Sequence, residues 1–271
     1  MRLSFEAGSS PGESAQAVRE VATVVDVLAI AAHRDDVEQT CGGTLLRMAA
    51  QGHSTAILDL TRGEMGTRGT AEDRAREAGE AAQILGVGWR EALDIPDGRV
   101  DNTFANRLKV ARVIRRLRPR VLILPYWQAR HPDHYMASLL GYEASFLSGL
   151  AKLEVNPDSS SPQASDGSEQ LPHRPFKIVY ASLYYDVRPS FVVDISEYFE
   201  ARFRALLAYG SQYSDQAAGS DIFTPHAKIR ARIESLARFY GALAGVEYAE
   251  PFVQKEVGLV EDLTTIPVAS L

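Results

Sequence analysis

Val24-Val25-Asp26-Val27-Leu28-Ala29-Ile30-Ala31, followed at once by AHRDDVEQTCGGT from Ala32 to Thr44, is the stretch on which the reading of the chain turns. An apolar run this short is the pattern of a buried strand, and the residues after Cys41 have the composition of a helix. His33, Asp35 and Asp36 then fall just beyond the carboxyl end of that strand, the edge at which open α/β sheets carry their ligands.

Outward from it, Leu45, Leu46, Met48 and Ala49 continue at helical spacing, Gly52 stops the helix, and Ser54 to Thr61 (STAILDLT) forms a second strand. Strand, short helix and strand make a βαβ unit with parallel pairing. The glycine-rich loop from Arg62 to Thr70 again lies beyond a strand's carboxyl end. Thr70, with Asp73 three residues on, opens a helix over Ala71 to Leu85 that Gly86 closes. Glu91 to Ile95 reads as a short strand, Pro96-Asp97-Gly98 as a turn, and Thr103 to Leu117 as an amphipathic helix stopped by Pro119. Val121 to Tyr126 is another buried strand, leading through Trp127 to Arg130 into His131-Pro132-Asp133-His134 and a helix over roughly Asp133 to Leu150.

Residues 156–175 are rich in Ser, Pro, Gly and Asp without periodicity and read as a surface loop compatible with disorder. Lys177 to Tyr185 and Phe191 to Ile195 read as later strands. Glu197 to Tyr209 and Pro225 to Ala244 read as helices, the second with Thr224 as cap and Pro225 at its first position. The fold expected is α/β: a Rossmann-like three-layer α/β/α arrangement with a mainly parallel sheet and an appended C-terminal α/β portion. Residues 1–22 read as a flexible polar leader and 23–271 as a single domain, in preference to a split at the 156–175 loop.

The 271 residues, 45% hydrophobic and 24% charged, are the make-up of an ordinary globular protein with enough chain for a large core. A net charge of -6 disfavours a nucleic-acid partner. The basic run Arg112 to Arg120 reads as a solvated helix face with cations suited to a helix end. No apolar run approaches the roughly 18 residues of a membrane span, and the start lacks the pattern of a signal peptide, so a cytoplasmic location is expected. The single cysteine, Cys41, excludes an internal disulfide and a multi-cysteine metal site, and reads as a packing residue. Gly42 and Gly43 match neither phosphate-loop nor dinucleotide patterns. His53, His173 and His226 read as surface histidines.

Pro132 forces His131 out of helical geometry and favours Asp133 and His134 in the first turn of the next helix. In a Rossmann-like sheet the first and fourth parallel strands are neighbours, so the two motifs would meet across the switch point. Alone, His-x-Asp-Asp also reads as a capped helix start, and His-Pro-Asp-His as a turn with a cap. Together they offer His33, Asp36 and His134 as three ligands of a zinc-type site with a fourth position open, Fe2+ being an alternative cation. Asp35 is then placed to act as general base toward water, and His131, protonated and oriented by Asp133, to stabilise an oxyanion and protonate a departing amine.

At these residues the chain resembles the LmbE-like, or GlcNAc-phosphatidylinositol de-N-acetylase-like, family of metal-dependent sugar deacetylases. The matching stretches are AHRDDVEQTCGGT, DLTRGEMGTRGT with Glu72 and Arg74 behind it, and RHPDH. Similarity continues through LPHR, PSFVVDISEYFE, ALLAYGSQY and GVEYAEPF, which are most similar to the bacillithiol-biosynthesis deacetylases acting on N-acetylglucosaminyl malate. The resemblance implies the same ligand, base and acid roles, with Arg74 and Arg130 binding substrate, Glu64 near the sugar hydroxyls, and Arg62 and Arg174 as further substrate cations. It also implies a small amino-sugar substrate and a homo-oligomer. Another N-acetylglucosamine conjugate such as an inositol glycoside, a thiol conjugate cleaved as an amide, and a metal-binding module on a retired enzyme scaffold are the alternatives. Arg34 stands where the family has Pro or Ala, and Gln39-Thr40 where Ile-Gly is usual. The family's C-terminal active-site tyrosine has no counterpart around Thr224-Pro225-His226.

Overall fold

A computed structural model of the chain describes residues 24–155, 171–182, 187–214 and 225–268. The leader read at 1–22, most of the loop read at 156–175, and Thr224 lie outside the described residues. Strand β1 (Val27–Ala31) is buried along its whole length. Its side chains alternate between two cores, as the two faces of a sheet require: Leu28 and Ile30 enter one, Val27, Ala29 and Ala31 the other. Each fully buried aliphatic side chain of this kind contributes about 1.5–3 kcal/mol.

After β1 the chain turns through two short helices, α1 (Asp36–Thr40) and α2 (Gly42–Ala50), and returns as β2 (Thr55–Asp59). Helix α3 (Ala71–Leu85) begins in a reciprocal capping box between Thr70 and Asp73 and ends at Gly86 with φ 67°. β3 (Trp89–Ala92), α4 (Phe104–Leu117), β4 (Val121–Pro125) and α5 (Pro132–Ser148) complete the parallel half. β5 (Lys177–Ala181), β6 (Phe191–Asp194), α6 (Phe199–Leu207), α7 (Gly210–Tyr213), α8 (His226–Ala242) and β7 (Ala249–Val253) follow.

The strands form one seven-stranded sheet in the order β3-β2-β1-β4-β5-β7-β6. β3 to β5 run parallel, and β7 and β6 extend the edge antiparallel. Side chains of α4 and α5 pack in one core, and those of α2, α3 and α6 in the other, which is the three-layer α/β/α arrangement. β1 pairs with β4, with Val27 opposite Val121, so the loops leaving their carboxyl ends are neighbours.

Several local expectations change. α1 interrupts what read as a loop before a single helix, β3 starts earlier than Glu91, and α8 begins at His226 with Pro225 as its N-cap. Arg115 is not part of a solvated face: it is fully buried and donates to the carbonyls of Ser148, Leu150 and Leu153 at 2.9, 2.7 and 2.9 Å. It thereby satisfies acceptors left open at the end of α5. His173 is half-buried, with Nε2 2.8 Å from the carbonyl oxygen of Pro119.

Candidate functional site

The turn from β1 into α1 carries the first group of site residues. Asp35 is the N-cap of α1 and has φ 95°, a left-handed conformation uncommon for a residue with a side chain. That backbone turn sets Asp35 and Asp36 on different tasks. The Asp36 carboxylate curls back to accept from the His33 amide at 2.9 Å. Asp35 faces the other way, toward Arg74 and Tyr213.

His134, in the first turn of α5, arrives from the β4 loop. Its Nε2 lies 3.2 Å from His33 Nδ1 and 3.2 Å from Asp36 Oδ1, and His33 Nδ1 lies 3.5 Å from Asp36 Oδ2. Donors around one tetrahedral cation at 2.0–2.1 Å would stand about 3.3–3.4 Å apart; the two contacts of His134 Nε2, 3.2 Å to His33 Nδ1 and 3.2 Å to Asp36 Oδ1, match that spacing, while His33 Nδ1 meets the other Asp36 oxygen. The donor types agree: two imidazole nitrogens and a carboxylate, all largely buried, are ligands that a zinc-type cation takes.

The far side of His33 is also fixed. Its Nε2 faces Asp97 Oδ1 at 3.1 Å and Asp133 Oδ2 at 3.3 Å. Those carboxylates accept from Nε2–H, which in the neutral tautomer leaves Nδ1 as the nitrogen offered toward His134, the outer-partner arrangement common for metal-binding imidazoles. Burial alone would lower the His33 pKa, but hydrogen bonds to Asp133, Asp36 and Asp97 outweigh it and raise it. Burial likewise opposes ionisation of Asp36, yet His134 and His33 hold its carboxyl well below the usual range. For His134 the Asp36 charge overcomes burial and raises the pKa.

Asp35 has the opposite balance. Burial pushes its carboxyl up to about 6 against the opposing charge of Arg74 and the Tyr213 hydroxyl. Its Oδ1 accepts from Arg74 Nη2 at 3.0 Å, and its Oδ2 from Tyr213 at 2.5 Å and Gln39 Nε2 at 3.3 Å. Of the two adjacent aspartates, one is held ionised and the other is poised to exchange a proton near neutrality.

The His131 ring sits 4.7 Å from that of His33 and 5.1 Å from that of His134. The expected link between the Asp133 carboxylate and His131 is not the one formed. Asp133 is turned inward to His33 and to the amides of Gly98 and Val100, at 2.8 and 3.3 Å. What His131 Nδ1 receives instead is the Asp133 backbone amide at 3.2 Å, because His131 is the N-cap of α5. An Nδ1 that accepts leaves the neutral ring with its proton on Nε2. Loss of solvation and the neighbouring His33 and His134 lower the His131 pKa, so neutrality and not the expected protonation is favoured.

The cations read from the sequence part company. Arg74 is buried, and besides Asp35 it donates to the Arg34 carbonyl. Arg34 is buried too and donates to the carbonyls of Ala71 at 2.8 Å and Arg62 at 3.4 Å. Arg62 and Arg130 are exposed on the loops around the site. Glu64 is exposed and accepts from the Asp97 amide at 2.8 Å. Arg174 is not brought to the site: it precedes β5, at the amino edge of the parallel strands, and stacks 4.6 Å over the Phe146 ring near the end of α5.

Two residues that the sequence reading did not assign to the site complete it. Asp97, read as part of a turn, backs His33, and Tyr213 reaches Asp35 from α7. α7 is itself tied to α3, since Ser211 donates twice to the buried Glu77 at 2.7 Å. Gly42 and Gly43 do not form an anion site. The amides of Gly43 and Thr44 donate to Glu250, at 2.9 and 2.7 Å, and a Cβ on Gly43 would stand 2.8 Å from Ile195. Among the described residues no helix is long and apolar enough to cross a membrane.

Residues 28–145 match the PIG-L family, described as GlcNAc-PI de-N-acetylase. The chain is 31% identical over 237 residues to diacetylchitobiose deacetylase of Thermococcus kodakarensis, covering 84% of this chain and 82% of that protein. Among solved structures it is similar to the conserved protein TT1542 of Thermus thermophilus, with TM-score 0.73 and 40% identity over 88% of this chain and 98% of that one. The N,N'-diacetylchitobiose deacetylase of Pyrococcus horikoshii, solved with an inhibitor, gives TM-score 0.69 and 26% identity over 84% and 82%.

Proposed function

The chain belongs to the GlcNAc-PI de-N-acetylase (LmbE-like) family, and from that premise we propose that it is a metal-dependent N-deacetylase hydrolysing the acetamide of an N-acetylglucosamine conjugate. The observation that carries the reading is the convergence of His33 Nδ1, His134 Nε2 and the Asp36 carboxylate within 3.2–3.5 Å of one another, with Asp35 beside them. Those three residues would hold the cation, for which we favour zinc, with Fe2+ as the alternative that imidazole and carboxylate ligands also accept. When bound, such an ion supplies Lewis-acid polarisation of the amide carbonyl and acidifies water.

The chain's own residues do the rest. Asp35 takes the proton that water loses as its oxygen forms the new bond to the carbonyl carbon. His131, neutral with its proton on Nε2, donates a hydrogen bond to the developing oxyanion. When the C–N bond breaks, the proton held by Asp35 passes to the departing nitrogen, leaving acetate and a free amine. A carboxyl at about 6 can both accept and release that proton.

N-acetylglucosaminyl malate is the substrate we favour. The similarity of the later stretches supports it, and so do the exposed Arg62 and Arg130, which are free of the buried pairing that engages Arg74 and suit a dicarboxylate. We also infer a cytoplasmic homo-oligomer. The lone buried Cys41 suits a reducing compartment. Tyr135, Leu139, Tyr142 and Phe146 form an apolar stripe on α5 that is 40–55% exposed, the kind of patch that marks an interface.

The test is acetate release, with and without chelator, from the malate glycoside, an inositol glycoside and diacetylchitobiose, alongside metal content. Preference for the malate glycoside, lost with the metal and in His134→Ala, is expected. Normal turnover by His134→Ala would overturn the reading.

A further inference from the structure

The loop that carries the chain from β4 to His131 has little main-chain support. The Tyr126 amide donates to the Ala181 carbonyl at 2.8 Å, but from Trp127 to Arg130 the main chain forms no hydrogen bond among the described residues. The loop is held through a side chain instead. Trp127 packs partly buried against the core, edge-to-face on Tyr180 at 4.8 Å and tilted against Tyr126 at 4.3 Å. A cation closes over these rings. The Lys255 Nζ lies 4.9 Å from the centroid of Trp127, 4.6 Å from that of Tyr142 and 4.9 Å from that of Tyr180, inside the roughly 6 Å over which a ring face attracts a cation. Val253 of β7 stands opposite Tyr180, so the chain leaves β7 at this ring and Lys255 follows just beyond. Among the described residues the ammonium forms no ion pair, and the rings are its partners.

We propose that Lys255 is a positioning residue for the hydrolysis: by clamping the Trp127 indole it fixes the loop from Trp127 to Arg130, and through it the His131 ring. The proposal rests on the deacetylase reading above. Of the three rings, Tyr180 is fully buried on β5 and Tyr142 belongs to the 17-residue helix α5, so both are placed by their own elements. Trp127 alone comes from irregular chain, so the freedom that Lys255 removes is the loop's. His131 feels the result because it is the N-cap of α5, with extended backbone at φ -82° and ψ 127°. A residue at that junction takes its direction from the chain that enters it as well as from the helix that follows.

The experiment compares Lys255→Gln, which removes the charge, with Lys255→Arg, whose guanidinium can also lie over the rings, in metal-loaded protein. Turnover is read as acetate released from N-acetylglucosaminyl malate and from diacetylchitobiose. The loop is read by acrylamide quenching of Trp127 in a Trp89→Phe background, since the chain has two tryptophans. Lys255→Gln is expected to quench more readily and to lower kcat about tenfold on both substrates, part of the roughly 100- to 1000-fold that an oxyanion donor contributes. Lys255→Arg is expected to stay within about threefold of wild type in kcat. Trp127→Leu is expected to lower kcat by a similar factor, and adding Lys255→Gln to it to cost little more, because partners that act through one another are not additive. Factors that multiply in the double variant, or a lower melting temperature with kcat unchanged, would overturn the clamp and leave deacetylation standing. Quenching that rises in Lys255→Gln and returns in Lys255→Arg, with no acetate released even by wild type, would uphold the clamp on the loop and overturn the deacetylase reading.

Discussion

The Tyr213 hydroxyl donates to Asp35 Oδ2 at 2.5 Å across 178 positions of sequence, tying α7 to the turn that carries the proposed base. The bond favours the ionised carboxylate and so opposes the upward push of burial. Tyr213→Phe removes the donor and keeps the ring, so the Asp35 pKa rises. A base must be ionised to act, and the acid limb of kcat/KM is therefore expected to move to higher pH, with activity falling more at pH 5.5 than at pH 8. An equal loss at every pH would place Tyr213 on the substrate instead of on Asp35.

Asp97 is not itself a proposed ligand, but its carboxylate holds the ligand His33 at Nε2, 3.1 Å away, and accepts from the Met65 amide at 3.0 Å. Outer partners of this kind typically contribute about 10- to 100-fold to metal affinity. Asp97→Asn is expected to weaken binding by that order in a chelator competition, with the fold intact by circular dichroism. Unchanged affinity would show that Asp133 alone suffices to orient the ring.

The two arginines that the resemblance treats alike should behave differently. Arg174 lies over Phe146 at the amino edge of the sheet, so Arg174→Ala is expected to leave kcat/KM within about twofold, as surface changes usually do. Arg74 is buried against Asp35 at 3.0 Å, and Arg74→Ala leaves that carboxylate without its counter-charge. Its acid limb is expected to shift up and its stability to fall by about 3–5 kcal/mol. Equal kinetic effects in the two variants would require a role for Arg174 that its position does not supply.

The contrast shows where sequence reading succeeds. β1 and β4 are legible because short apolar runs bounded by polar turns have few alternatives, and parallel neighbours then fix where His33, Asp36 and His134 meet. α3 is legible to the residue because both ends carry chemical stops, the Thr70–Asp73 box and Gly86. Asp97 and Tyr213 are not legible, since they come from segments placed by tertiary hydrogen bonds and not by local pattern. The direction of the Asp133 carboxylate is a rotamer choice within a helical turn, decided by the amides of Gly98 and Val100. β7 is hidden by Pro251, which argues against a strand inside a sheet, yet it pairs with Val192 on one side while Val253 meets Tyr180 on the other.

Glu250, the residue before that proline, makes the C-terminal portion part of the site's foundation. Its carboxylate accepts from the Gly43 and Thr44 amides and from the Thr44 hydroxyl at 2.5 Å, and it faces Arg202 Nε at 3.1 Å. Arg202 in turn donates to the carbonyls of Glu38 and Gln39, which end α1 only a few residues beyond Asp36. Both side chains are almost fully buried, so removing one charge leaves the other uncompensated, a loss of about 3–5 kcal/mol. Glu250→Gln keeps the shape and one acceptor, and is expected to lower stability by that order in denaturant melts. A change within about 1 kcal/mol would show that the amide hydrogen bonds to α2, and not the buried charge, hold this corner.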